Sequence, residues 1–164
     1  MDELTAMGTV ADRLVGGMMF HSDHADLNRF LGLDAFAGLH EDGFLDDSRS
    51  LRKVRKKCVL HLGRIPQQGK QERGKDLEKV MAYRSSDLSA NDRYRLTVSS
   101  LEAWERWERG TAEVFSEASN ALDGTLWKLV KRLQMGAEKE AVEASRLLTE
   151  AKACDMAHLY DMNR

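Results

Sequence analysis

Gly63-Arg-Ile-Pro66-Gln-Gln-Gly-Lys-Gln-Glu-Arg-Gly-Lys75 is the one long polar, glycine-bearing passage in this 164-residue chain, and it holds the only proline. Proline removes a helical donor and clashes with the preceding turn, so the chain carries a single strong helix breaker. On both sides of the passage, apolar residues recur at the alternating steps of three and four that line one face of a helix. β-Branched residues are scattered, with no run that reads as a strand. The fold class is all-α.

Towards the N-terminus, a first helix is expected over Leu4–Leu31, with Met7, Ala11, Leu14, Met18, His21 and Ala25 on its inner stripe. Gly32 stops it. A second helix follows over Asp34–Leu62, with the stripe Phe36, His40, Phe44, Asp47, Leu51, Val54, Cys58 and His61. So short a link forces the two helices into an antiparallel hairpin. Residues 64–90 form a long crossover, with a short piece from Leu77 to Tyr83 docking on the bundle. A third helix starts near Ser89, where Ser-Ala-Asn-Asp resembles a capping box with Asp92 as the partner. Its stripe is Tyr94, Thr97, Leu101, Trp104, Glu108, Thr111, Phe115, Ala118 and Leu122. Asp123-Gly124 marks a kink or break, Leu126–Leu133 is helical again, and Gly136 turns the chain into a last helix, Ala137–Tyr160. That helix buries Ala137, Ala141, Ala144, Leu148, Ala151, Asp155 and His158.

Two helical hairpins joined by one long crossover make a single-domain four-helix bundle of residues 1–164 whose second and third helices run parallel. This order of helices, their lengths and the position of the crossover resemble the ferritin-like superfamily. The resemblance implies a two-metal carboxylate centre in the core, with a Glu from each of two helices and a Glu-x-x-His pair from each of the others. No Glu-x-x-His occurs in this chain; Asp155-Met-Ala-His158 is the acidic variant, and Glu41 is followed three residues on by Phe44.

Polar residues nevertheless interrupt the apolar stripe on every helix: His21; His40 with Asp47; Glu108 with nearby Glu105; and Asp155 with His158. The candidate metal ligands are Asp155, His158, His21 and His40, a mixture of imidazole and carboxylate that suits iron, manganese or zinc. No catalytic residue is assigned. Cys58-Val-Leu-His61 has the spacing of half a zinc site but has no second pair. His21-Ser-Asp-His24 reads as two surface histidines on a partly solvated face. Cys58 and Cys154, too few for a disulfide framework, are expected to be buried free thiols.

The net charge of −2 conceals a segregation: residues 1–48 are acidic and residues 49–79 strongly basic. Arg49, Arg52, Lys53, Arg55, Lys56 and Lys57 form a basic patch on the second helix, leaving Leu51, Val54 and Cys58 inward. Such asymmetry concerns partners rather than fold. The sequence has no phosphate loop, nucleophile elbow or nucleic-acid reading module, and its pI is about 6.2. Trp104 lies on the core stripe, and Trp107 on its flank is expected to pack on the neighbouring hairpin or to anchor a homo-oligomer. Glu102, Glu105 and Glu108 are expected to line a charged flank with Arg106 and Arg109.

The start of the sequence, Met-Asp-Glu-Leu, lacks a basic region ahead of an apolar one, and the longest apolar run is seven residues. A cytoplasmic protein without a membrane span is expected. The leading functional expectation is a non-catalytic helical bundle acting by binding, chiefly self-association. A metal-binding ferritin-like protein is the alternative, and nucleic-acid association through the basic patch is a third.

Overall fold

The computed structural model describes residues 1–66 and 85–164. Helix α1 spans Glu3–Phe30 and is started by Asp2, whose carboxylate accepts a 2.7 Å hydrogen bond from the Thr5 amide. Gly32 ends it in the left-handed conformation, at a φ of 78° that glycine adopts without a Cβ penalty. Helix α2, Asp34–Leu62, begins two residues later, so α1 and α2 form the expected hairpin, and Gly63 closes α2 with a φ of 72°. Most of the expected crossover, including Leu77–Tyr83, lies outside the described residues. A 3-10 turn at Ser85–Asp87 leads to α3, Ala90–Ser119, where the Ser89 hydroxyl accepts from the Asp92 amide at 3.1 Å.

The second hairpin turns one element earlier than its sequence implies. Asp123-Gly124 is the turn itself, with Gly124 at a φ of 53°, and α4 runs unbroken over Gly124–Lys152. Gly136 is an ordinary helical residue there; a glycine inside a helix costs only about 1 kcal/mol relative to alanine, too little to stop a well-packed helix. The expected last helix, Ala137–Tyr160, instead breaks after Lys152, and a short α5, Met156–Met162, follows. Asp155 is the N-cap of α5, accepting from the His158 amide at 3.0 Å. Ala137, Ala141, Ala144 and Ala151 are buried as expected, with Leu147 in place of Leu148 between them.

Buried side chains gather into two apolar clusters. One joins Met7, Val10 and Leu14 of α1 to Leu51, Val54 and Cys58 of α2, Phe115 and Ala118 of α3, and Leu126 and Val130 of α4. The other joins Leu27 and Leu31 to Phe36, Leu101, Trp104, Ala144, Leu147 and Leu159. Between the two clusters each long helix carries a polar residue: His21 on α1, Asp47 on α2, Glu108 on α3 and Glu140 on α4.

The two hairpins are locked together through α1 and α3. Arg13 lies 3.6 Å over the Trp107 ring and donates to Thr111 Oγ1 and the Trp107 carbonyl, each at 2.8 Å. Phe20 stacks on the opposite neighbours, Trp107 and His24. Trp107 thus packs within the chain. Cys58 is buried, whereas Cys154 is only half-buried in the turn after α4, contrary to expectation. No helix among the described residues is long and apolar enough to cross a membrane.

Candidate metal centre

Each of the four long helices sends one side chain into the polar layer: His21 from α1, Asp47 from α2, Glu108 from α3 and Glu140 from α4. His21 is 1% exposed, and its ring is held at Nδ1 by a 2.9 Å hydrogen bond with His40 Nδ1. Its other nitrogen, Nε2, is buried without a hydrogen-bond partner. That nitrogen faces Glu108 Oε1 at 3.3 Å, Asp47 Oδ2 at 3.8 Å and Glu140 Oε2 at 3.9 Å. One ligand atom each from His21, Glu108 and Glu140 falls within a 4.8 Å span.

An orphaned buried nitrogen aimed at three carboxylates is an expensive arrangement without a cation. Burial lowers the His21 pKa, so the imidazole is neutral and brings no charge of its own. Burial pushes Glu108 up to about 7, with the Asp47 charge adding to the rise and Glu140, Trp104 and Arg13 pulling back. Glu140 rises to about 8 through burial and its carboxyl contact with Glu108. Asp47 also rises to about 8, through burial and then repulsion from Glu140 and Asp46. The cause is common to all three: like charges are crowded where little water reaches them.

Two glycines make the space. A Cβ on Gly43 of α2 would stand 2.7 Å from Cε1 and Nε2 of His21, and one on Gly17 of α1 would collide with Asp47 Oδ2. The histidines behind the site form a second tier. His40, almost fully buried, tilts against Trp104 at 5.0 Å between ring centroids. Burial, followed by the neighbouring His21 and His24, drives its pKa far down, so it too is neutral. His24 turns inward rather than lying on a solvated face: its Nδ1 is 2.7 Å from Ser100 Oγ, and burial lowers it to about 4. Ser100, a small residue on α3, leaves room for it.

Of the four residues read from sequence as metal ligands, the structure brings His21 and His40 together and places Asp155 and His158 elsewhere. Asp155 is exposed at the start of α5, and His158 is nearly half-exposed and 3.8 Å from Glu150. Glu150 sits ten residues, about 15 Å, along α4 from Glu140. Only His21 of the four presents a free ligand atom to the carboxylates; His40 uses its Nδ1 on His21. Asp47 and Glu108 were visible in the sequence as interruptions of apolar stripes. Glu140 was not, because the misplaced turn at Gly136 put it at a helix start instead of mid-helix.

The remaining sequence candidates are dispersed. Cys58 is in the core while His61 is exposed, so they share no site. Glu105 pairs with Arg109 at 2.7 Å and Glu102 with Lys152 at 3.4 Å, leaving Glu108 alone turned inward. In the basic patch, Arg49, Arg52, Lys53, Arg55 and Lys56 are exposed and Lys57 half-buried, with Leu51, Val54 and Cys58 buried beneath.

No family model matches the chain, and no significant match was found among curated proteins.

A metal fits His21, Glu108 and Glu140 on distances: zinc-type bonds to nitrogen and carboxylate oxygen of about 2.0–2.2 Å put neighbouring ligand atoms roughly 3–4 Å apart, and one ligand atom from each of the three lies within 4.8 Å of the others. Asp47, 3.8 Å from His21 Nε2, stands beside that set and not within it. One imidazole and two carboxylates, with Asp47 alongside, suffice for one ion. They fall short of the two-metal set of the ferritin-like centres, which needs a second histidine as ligand.

Proposed function

We propose that this protein binds a single divalent metal ion, iron, manganese or zinc, through His21, Glu108 and Glu140 with Asp47 alongside, on a helical scaffold with the ferritin-like helix order. The buried, partnerless Nε2 of His21 facing carboxylates from three other helices carries the reading. Support for the helix order comes from the apolar clusters: the first half of α1 packs with the second halves of α2 and α3 and the first half of α4. That arrangement has α2 and α3 running the same way, as one long crossover requires.

The ion would be a Lewis acid held in a largely dry core, with a donor set rich in hard oxygen. The chain's own part is to hold and orient. Of the two directions open to the Nδ1–Nδ1 hydrogen bond, the one in which His21 donates and His40 accepts leaves the Nε2 lone pair of His21 directed at the ion, and metal binding would select it. Gly43 and Gly17 keep the ligand rotamers open, and the two apolar clusters exclude water above and below. The test is elemental analysis by mass spectrometry of protein reconstituted with each ion and desalted, beside Glu108→Gln. One equivalent retained by the parent and lost from the variant is the expected result; no retention of any of the three ions would refute the proposal.

A second reading, self-association, draws on α4. Trp127, Met135 and Val142 are exposed along that helix at spacings of eight and seven, which keep them on one side. A second copy of the chain is the proposed occupant. Sedimentation equilibrium should show a dimer that Val142→Glu weakens; a monomer at all concentrations would rule it out.

A further inference from the structure

The outward face of α2 changes character along its length. Its first half exposes Glu41, Asp42 and Asp46, and its second half exposes Arg49, Arg52, Lys53 and Lys56. Glu41 pairs with Arg29, and Asp46 is 3.6 Å from Arg49. Arg52, Lys53 and Lys56 have no ion pair among the described residues. Lys56 and Leu60 follow Arg52 at steps of four, Leu60 is seven residues after Lys53, and Val59 is three after Lys56. These five side chains therefore share one stripe of the helix surface. On the opposite side, Leu51, Val54 and Cys58 are buried in the core.

The basic stripe runs into aliphatic surface. Val59 is 51% exposed, Leu60 69%, and Ile65, just past the Gly63 stop, 54%. A single exposed aliphatic residue is ordinary, but here three fall within seven residues, directly beyond a row of cations. That combination decides between polyanions. Nucleic acid is held by cations and by aromatic rings on which bases stack, and Val59 and Leu60 offer it neither. The surface of an anionic bilayer uses both halves of the stripe. Its headgroups attract the ammonium and guanidinium groups, while aliphatic side chains reach just below them, out of water. The long stems of Arg52 and Lys56 let their charged ends stay among the headgroups as the neighbouring aliphatics go deeper.

Charge also sets which end of the molecule faces such a surface. Asp46 and Val59 are about 20 Å apart along α2, more than twice the screening length of about 8 Å at physiological salt. The acidic half of the helix is therefore held away while the basic half docks. Asp2, Glu3 and Asp12 on α1 and Asp123 in the α3–α4 turn are the carboxylates nearest the docking end. They are outnumbered by the six cations of α2 together with Arg64 and Lys128.

We infer that the second half of α2 docks on an anionic lipid bilayer, with Arg52, Lys53 and Lys56 among the headgroups and Val59, Leu60 and Ile65 inserted beneath them. The inference is independent of the metal-binding reading.

The experiment sediments the full chain with vesicles of phosphatidylcholine alone or mixed with phosphatidylglycerol. Two double variants are run alongside, Lys53→Gln with Lys56→Gln and Val59→Ser with Leu60→Ser, each checked for parental helicity by circular dichroism. The parent should partition onto the mixed vesicles and not onto phosphatidylcholine. Each double variant should partition about tenfold or more weakly. No partition onto the mixed vesicles overturns the inference. So does parental partition of the Val59→Ser, Leu60→Ser protein, since the cations would then serve a polyanion without an apolar interior; titration with poly(A) RNA identifies that case by tight binding that only the lysine substitutions weaken.

Discussion

Gly43→Ala probes the site without touching a ligand. The new methyl would stand 2.7 Å from Cε1 and Nε2 of His21 and 2.8 Å from Cδ2. To regain an ordinary contact of 3.4 Å the imidazole must retreat by about 0.7 Å, several times the roughly 0.2 Å tolerance of a metal–ligand distance. The ring cannot simply swing away, because His40 holds its other nitrogen and the imidazole is almost fully buried. Loss of His21 geometry should weaken metal binding by about 10–100-fold, the effect usual for disturbed support of a ligand. Folding should suffer much less: alanine gains about 1 kcal/mol of helix propensity, while overpacking costs about 1–3 kcal/mol. Competition titration against a chromogenic chelator, with thermal unfolding of the metal-free variant in parallel, separates the two effects. Parental metal affinity in a folded Gly43→Ala protein would refute the reasoning, since it would mean that His21 is not a ligand.

His40→Phe keeps the ring packing against Trp104 but removes the acceptor for His21 Nδ1. It should lower metal affinity by about 10–100-fold in the same titration, with helicity by circular dichroism unchanged. In metal-free protein, Asp47 and Glu140 at about 8 and Glu108 at about 7 hold protons that the unfolded chain has released. Folded-state protonation above the unfolded level makes stability fall as pH rises. The histidines, depressed when folded, act in the opposite sense only below their ordinary value of 6.5. Between pH 6.5 and 8 the melting temperature of the metal-free protein should therefore fall, and one equivalent of bound metal should abolish the decline; a flat or rising metal-free profile would contradict the assignment. Asp155→Ala should cost about 0.5–2 kcal/mol as a lost N-cap in denaturant melts and leave metal affinity unchanged, which a ligand role for Asp155 would not allow.

The all-helical class and the first hairpin were legible because their signals are local. Gly32 and Gly63 stop helices through backbone conformation, and α2 has the bounds its sequence gives it, Asp34–Leu62. The second hairpin was misread because glycine has two meanings. At Gly124 it supplies a positive φ and makes a turn, while at Gly136 it merely omits a side chain, and only the surrounding packing distinguishes the two. That error hid Glu140. Asp155 and His158 were misread for a related reason: the i, i+3 spacing that puts two ligands on one helical face is also the spacing by which an N-cap carboxylate reaches a backbone amide. His21, Asp47 and Glu108 could be found because a polar residue on an apolar stripe must be satisfied by something. What satisfies it depends on the register of helices distant in sequence, which no local pattern encodes. Trp107 was ambiguous in the same way until Arg13 and Phe20, some ninety residues earlier, were placed against it.

The central claim is that a metal sits where four helices converge, and anomalous diffraction from crystals of the manganese-, iron- or zinc-reconstituted protein tests it most directly. The account predicts one anomalous peak per chain, within bonding distance of His21 Nε2 and of carboxylate oxygens from Glu108 and Glu140. No peak there, or a peak beside His158 and Glu150 instead, would contradict it.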